Sequence, residues 1–440
     1  MQRCLAHANI VKGDLLEILA QFPESGTESK LKVKRAHACI RLLAILTSPL
    51  DENIKEDSMT NNFHRHIPYL QLAQVGYKRA LLHFENTDIL RTIVRVSLPA
   101  MAQPRSERSV TEKNIIYVVL NLIRNVAMIT QPQHLPSQGD ENEITRSTTL
   151  ETLAKQGIFD FLLTVGSGSG DEFQDDIIAQ LEILFHLLKG IDPKKLFMEK
   201  QQVEKNNTKE FKDLLSKEKA MLDGYKKHAP TRHNRFGTMV WLKRDDTSYS
   251  TVTGQHSITN DEQTLFHMDQ SKKWDKPKYR GKNTPNANET HDIGGRCEID
   301  EPATNTLRSF VEDFLDSSFN PLFLALRKLI ERDTLDERHS SDNLKQYFYL
   351  ISWFLNAATA RYDAVARENS KNASLASNAI VQDNNYSYIA AVLDQETFVL
   401  LNRSMQQYMD EKNWQVVMST MLAFTQILLT VQSMAESKDE

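Results

Sequence analysis

Seven consecutive residues of this 440-residue chain bring together groups able to grip an anion or a partner surface: Arg232, His233, Asn234, Arg235, Phe236, Gly237 and Thr238. The two guanidinium groups, three positions apart, can each pair bidentately with phosphate or carboxylate. The Phe236 ring can anchor in an apolar pocket, and Gly237 lets the chain turn. The same residues can equally clip a loop back onto its own helices, and so short a run is weakly specific by itself. Lys243 and Arg244 extend the basic edge. Lys272, Lys273, Lys276, Lys278, Arg280 and Lys282 form a second basic run with Trp274 and Tyr279 interleaved. That composition suits nucleic-acid contact and suits disorder as well. All eleven of these Arg, Lys and Phe residues, from Arg232 to Lys282, are candidate contacts for a partner or for DNA.

No reaction centre assembles elsewhere. His64 and His66 are two apart, a spacing that does not share a helix face, and His228 and His233 have no Cys nearby to complete a zinc site. Asp245 and Asp246 are adjacent carboxylates of the kind that turns leave solvated. There is no His-Glu-x-x-His, no Gly-x-Ser-x-Gly and no Gly-x-x-x-x-Gly-Lys-Ser/Thr. Catalytic residues, metal and cofactor are therefore all expected to be absent, and the chain reads as a non-enzymatic protein. Lys30, Lys32, Lys34 and Arg35 cluster on one segment, where a solvated helix face is the plainer reading than a phosphate site.

These groups need a frame. Charged residues make up 25% of the chain and the apolar set 40%, an ordinary soluble balance. No run of 18 apolar residues occurs, which argues against a membrane span, and the first residues lack the apolar core of a signal peptide. Three scattered cysteines, Cys4, Cys39 and Cys297, suggest a reducing compartment and no disulfide framework. The net charge is −5, yet residues 226–296 hold 13 Lys/Arg against 8 Asp/Glu. Contact with nucleic acid must then be local, and this segment is one place for it.

Helical periodicity fills most of the rest. It marks 7–22, 30–47, 64–83 and 88–98. A capping box at Ser109 and Glu112 leads into a helix with two apolar stripes, Ile116/Val119/Leu120/Ile123 and Ile115/Val118/Leu122, so burial on two sides is expected. Helices follow at 148–155 and 158–165, then Gly166, Ser167, Gly168, Ser169 and Gly170, a flexible connector by composition. Asp171 is a candidate cap for the next helix, with its stripe of Ile177, Leu181, Leu184 and Leu188, and 209–222 is a further, more charged helix. Residues 226–302 show no sustained helical period, although 239–242 and 248–252 can form a hairpin around Asp245 and Asp246. Helices resume at 307–330, 344–362, 386–408 and 414–434, with a polar linker at 367–383.

The pattern predicts an all-α fold, an armadillo/HEAT-like helical-repeat solenoid with a long basic inserted loop. No crisp repeat shows near the usual period of about 40 residues, and a single globular helical domain is the alternative architecture. The expected parts are an N-terminal helical-repeat part at 1–225, a long basic, partly disordered loop at 226–302, and a C-terminal helical part of the same solenoid at 303–440.

Five segments together resemble the N-terminal region of the Timeless family, in its fungal, topoisomerase-1-associated form: residues 8–19, residues 39–49, residues 116–125 ending Leu122, Ile123, Arg124, Asn125, the run Arg232 to Gly237 (with Asn234 where the family has Ser), and residues 307–315. Their order and spacing are specific where no single one is. The resemblance implies a helical-repeat scaffold of the replication fork protection complex. Such a protein would pair with a small Tipin-type subunit, travel with the replicative helicase on duplex DNA at the fork, and associate with topoisomerase I. It would stabilise paused forks and support checkpoint signalling, DNA repair and chromosome segregation, meiosis included, and it would reside in the nucleus, with no membrane involved. The resemblance also implies that a preceding helix or two and a long acidic C-terminal part of the family lie outside this sequence. A generic α-solenoid adaptor for peptides, not tied to replication, is the rival function.

Overall fold

The computed structural model describes residues 2–22, 30–50, 67–84, 87–131, 141–198, 297–332, 337–373 and 387–439, with 202, 205, 208, 209, 211–220, 239–245 and 248–253 between them. Two compact units divide the chain. One joins Met1–Phe197 to Ile293–Glu440, and the other is Met198–Asp292.

The first unit is helical among its described residues. Its early helices are α1 (Gln2–His7), a π-helical turn at Val11–Leu15 running into α2 (Leu16–Ala20), α3 (Lys30–Leu46), α4 (Ile67–Leu82), α5 (Ile89–Met101) and α6 (Val110–Met128). A 3-10 turn at Glu141–Ile144 precedes α7 (Arg146–Lys155), α8 (Ile158–Ser167), α9 (Ile177–Leu188) and the short α10 (Pro193–Leu196). After the second unit come α11 (Glu301–Ser317), α12 (Phe319–Arg332), α13 (Glu337–Ala373), a 3-10 turn at Ser387–Val392, α14 (Gln395–Asp410) and α15 (Trp414–Asp439).

Neighbour relations order these helices into rows. In the first row α3 packs on α6, α6 on α9, α9 on α13 and α13 on α15; in the second α2 packs on α5, α5 on α8 and α8 on α11 and α12. Up to α9 the members of a row are three helices apart in sequence, the stacking expected of a three-helix repeat. A helix inside a row needs two apolar faces, and α6 has them. Ile115, Val118 and Leu122 are buried, and so are Ile116, Val119, Leu120 and Ile123. Its start is fixed locally: Glu112 N donates to Ser109 Oγ at 3.3 Å while Glu112 Oε2 accepts from Ser109 N at 2.8 Å. Those hydrogen bonds hold the Glu112 carboxyl below its ordinary range.

Between α11 and α15 the filling is aromatic. Phe354 stacks on Phe314 with ring centroids 5.0 Å apart and meets Phe319 and Phe323 edge-on at 5.4 and 5.9 Å. All four rings are fully buried.

Several sequence expectations change. The glycine-serine run is a connector only in its second half, Gly168 to Gly170, which lies in the turns between α8 and α9. α8 continues to Ser167, Ser169 is fully buried with its hydroxyl on Val165 O at 3.0 Å, and a Cβ on Gly166 would lie 2.8 Å from both Gln180 Nε2 and Ser318 Cβ. Glycine leaves room there for the side chains of Gln180 and Ser318, which lie against α8. The residue before α9 is Asp176, not Asp171, and its side chain makes no capping bond. The single helix expected over 307–330 is two, α11 and α12, broken at Ser318, whose hydroxyl donates to Leu163 O at 3.0 Å. The helix expected over 386–408 is likewise a 3-10 turn and then α14, with Asp394 at the N-cap. α13 runs on to Ala373, through the first residues of the expected polar linker. Finally, counting consecutive apolar residues misses α15. Its Ser, Thr and Gln interrupt every run, yet Trp414–Ala435 is long and apolar enough to cross a membrane by length and composition, and it packs here on α13 and α14.

In the second unit, residues 211–220 are helical and every one is exposed, Phe211, Leu214 and Leu215 included. Strands β1 (Met239–Asp245) and β2 (Ser248–Thr253) pair antiparallel, the hairpin expected from the sequence.

Candidate interaction surface

Of the sequence candidates, Lys243 and Arg244 lie on β1. The register pairs Lys243 with Tyr249 and Asp245 with Ser248, so Arg244 is the extra residue of a bulge with no partner across the ribbon. Bulges bend the strand and re-aim the residue they carry. Arg232, Arg235, Phe236, Lys272, Lys273, Lys276, Lys278, Arg280 and Lys282 lie outside the described residues. The Lys30 cluster falls at the start of α3, where Lys32, Lys34 and Arg35 are exposed.

The helical unit contributes residues that sequence reasoning passed over. Arg124 and Asn125, which close the segment resembling the Timeless family, join neighbouring members of the first row. Arg124 Nη1 meets Glu182 of α9 at 2.8 Å, and the Asn125 amide donates to Ala44 O at 2.9 Å and Thr47 Oγ1 at 3.2 Å at the end of α3. Gln74 of α4 serves the same helix end through Ser48 O at 2.6 Å. Orphan carbonyls at a helix C-terminus need such donors. Gln156, after α7, does the converse for the start of α5, accepting from Leu90 N at 2.8 Å.

The most heavily served end is that of α9. Arg146 Nη1 donates to His186 O at 2.5 Å and Leu187 O at 2.9 Å. Gly190 then turns the chain at φ +80°, its N–H donates to the Tyr349 hydroxyl at 3.1 Å, and Trp353 Nε1 donates to Ile191 O at 2.8 Å. Gly190 O also accepts from Cys297 N at 2.8 Å. Residues from both sides of the second unit thus fasten one helix end.

Two buried ionisable groups stand out. Among the described residues, Lys78 of α4 donates to Ile129 O, at 2.9 Å, at the end of α6; burial and then the charge of Arg146 bring its pKa down to about 7. Asp176 is pushed up to about 7 by burial and by Asp175, against the pull of Arg108 and Arg105. Among the described residues no three His, Cys, Asp or Glu converge on a metal position. What the unit offers is surface. The outer face of α3 mixes Leu31, Leu42 and Ile45 with Lys34, Arg35 and Arg41, all exposed, while α15 exposes Trp414, Met418, Met421, Leu422, Leu428 and Leu429.

Comparison with known proteins adds to this geometry. The family model described as Timeless protein matches residues 1–242. The chain is 47% identical over 437 residues to Topoisomerase 1-associated factor 1 of Phaeosphaeria nodorum, covering 99% of this chain and 36% of that protein. It is 45% identical over 435 residues to the protein of that name from Emericella nidulans, at 99% and 37% coverage. For the one from Neurospora crassa the figures are 44% over 440 residues, at 100% and 35% coverage. The chain spans about a third of the length of the curated relatives it matches.

Proposed function

Because the chain belongs to the Timeless family, we propose that it is a non-enzymatic scaffold of the replication fork protection complex. In this role it travels in the nucleus with the replicative helicase, stabilises paused forks, and supports checkpoint signalling, repair and chromosome segregation, including in meiosis. Its partners are a small Tipin-type subunit, the helicase, duplex DNA and topoisomerase I. The observation that carries the proposal is identity of 44 to 47% over nearly the whole chain to proteins named Topoisomerase 1-associated factor 1. The helical build of the first unit agrees with it. So does the basic surplus of 226–296, which suits local contact with phosphates.

Capture from replicating nuclear extract tests this role. Recovery of helicase subunits with the small partner is the expected result, and recovery of transport receptors instead would favour the peptide-adaptor reading. Salt dependence then separates DNA from protein as the ligand of the basic segment. Removing one cation that neutralises a phosphate lowers the log–log salt slope by about 0.9, so Arg232→Ala with Arg235→Ala flattens it by nearly two units if both meet phosphates. An unchanged slope without helicase capture assigns them to a protein partner.

A further inference from the structure

Near the ends of α6 and α9, two cationic side chains come together without an anion to meet them. Lys78 of α4 is 3% exposed, and its amino nitrogen donates to Ile129 O at 2.9 Å. Beside it lies a small apolar cluster apart from the main core. Its members are Val75, one turn earlier on α4, Ile129 after α6, and Ile144 of the 3-10 turn. Arg146, two residues after Ile144, opens α7. It is partly buried, and its Nη1 donates to the carbonyls of His186, Leu187 and Lys189. The groups that offset its burial are the Cys297 thiol and the Tyr349 hydroxyl, with no carboxylate among them.

A buried ammonium without an anion is unfavourable, so such an amine gives up its proton. The charge of Arg146 pushes Lys78 the same way. The other charged side chains of this junction are engaged elsewhere: Arg79 meets Glu143 at 3.3 Å, and His83 Nε2 lies 3.0 Å from Glu143 O. Lys78 is thus desolvated in apolar surroundings with a second cation nearby, the two conditions that turn a lysine into a nucleophile. Arg146, for its part, has no carboxylate partner among the described residues.

We propose that Lys78, set between the Val75, Ile129 and Ile144 cluster and Arg146, is a carbamylation site whose ligand is carbon dioxide. The amine lone pair forms an N–C bond to the carbon, one C–O π pair moves onto oxygen, and an N–H proton leaves to water. No oxidant or further reactant is needed. The product, a carbamate, keeps one N–H for Ile129 O and places a negative charge where the Arg146 guanidinium can meet it, which removes the imbalance of two cations without an anion. Carbon dioxide is small and uncharged, so it reaches an amine that burial closes to ions. The modification ties α4 to the start of α7, at the junction where α6 and α9 end. The inference rests on this cluster and is independent of the role proposed at the fork.

Carbon-13 NMR of the 440-residue chain in labelled bicarbonate, just above neutral pH, tests it. The expected result is a carbamate resonance that grows to saturation with dissolved carbon dioxide and is lost in Lys78→Met, a variant that keeps an apolar side chain in the same space. Trapping the carbamate as its ethyl ester with triethyloxonium, followed by peptide mapping, should place the labelled carbon on Lys78 in the unsubstituted chain, a readout that needs no variant to fold. Absence of the resonance at saturating carbon dioxide would overturn the proposal. So would a resonance that Lys78→Met retains, or one that mapping assigns to the α-amino group or to another lysine.

Discussion

α3 and α15 stand at opposite ends of one row and solve the end of a helical stack in different ways. α3 buries Ala36, Cys39, Ile40 and Leu43 inward and breaks up its outer leucines with Lys34, Arg35 and Arg41. α15 buries a face rich in hydroxyls and keeps its larger apolar side chains outside. Which face of a helix is buried is therefore not set by that helix alone. α13, which carries part of the aromatic interior, packs along α15, whose Ser419, Thr420 and Ala423 are buried.

The contrast can be broken or sharpened by mutation. The largest effect belongs to the aromatic interior shared by α11, α12 and α13. Phe354→Ala should cost about 3–5 kcal/mol in urea unfolding, because its ring fills a space shared by three others. Trp414→Ala should cost less than about 0.5 kcal/mol in this chain, and a comparable loss at both sites would mean that the outer face is already covered. Next come hydrogen bonds. Asn125→Ala strands the end of α3 and should cost about 1–3 kcal/mol. Thr430→Val, which loses only a bond within its own helix, should stay within about 0.5 kcal/mol by the same measurement.

Buried charge comes third, and its sign can be worked out. Lys78 has a folded pKa of about 7 against an ordinary 10.5, so the folded state gives up a proton that the unfolded state keeps. Stability then rises with pH across that window, by up to about 1.4 kcal/mol per unit. Lys78→Met should abolish the slope and raise stability at neutral pH. Asp176, at about 7 against 3.8, keeps a proton that the unfolded state has lost, so stability falls as pH rises from 3.8 towards 7. Asp176→Asn should flatten that fall in acid-to-neutral denaturation curves. Smallest of all, Arg35→Gln on the outer face of α3 should shift stability by less than about 0.5 kcal/mol. A larger loss would show that this face, too, is in contact.

What could be read in advance was local. The capping box, the two stripes of α6 and the hairpin each depend on residues within a few positions of one another, although the first strand runs on from the expected 242 to Asp245 and so takes in Lys243 and Arg244. The bulge at Arg244 was not legible, because register depends on how the two strands pair and not on either strand alone. The break at Ser318 and the crowding at Gly166 and Gly168 were hidden for a related reason. Ser318 finds its acceptor at Leu163, and Gly166 is crowded by Gln180 and Ser318, neighbours invisible to composition. Arg146, Gln156 and Asn125 cap helices 40 to 81 residues away. Their polar chemistry gave no sign that structure rather than binding employs it.

The fastening around Gly190 has a consequence for how the chain tolerates change. The excursion Met198–Asp292 begins and ends on a stack that closes without it: Cys297 bonds to Gly190, Trp353 to Ile191, and the Arg308 guanidinium lies 5.5 Å from the Phe197 ring centre. Closing a longer loop costs little, about 0.6 kcal/mol per doubling. Insertions, deletions and wholesale replacement between those anchors should therefore leave the stack in place, so that the segment can diverge while its platform is held constant. A single protease cut there would leave two fragments sharing one interior.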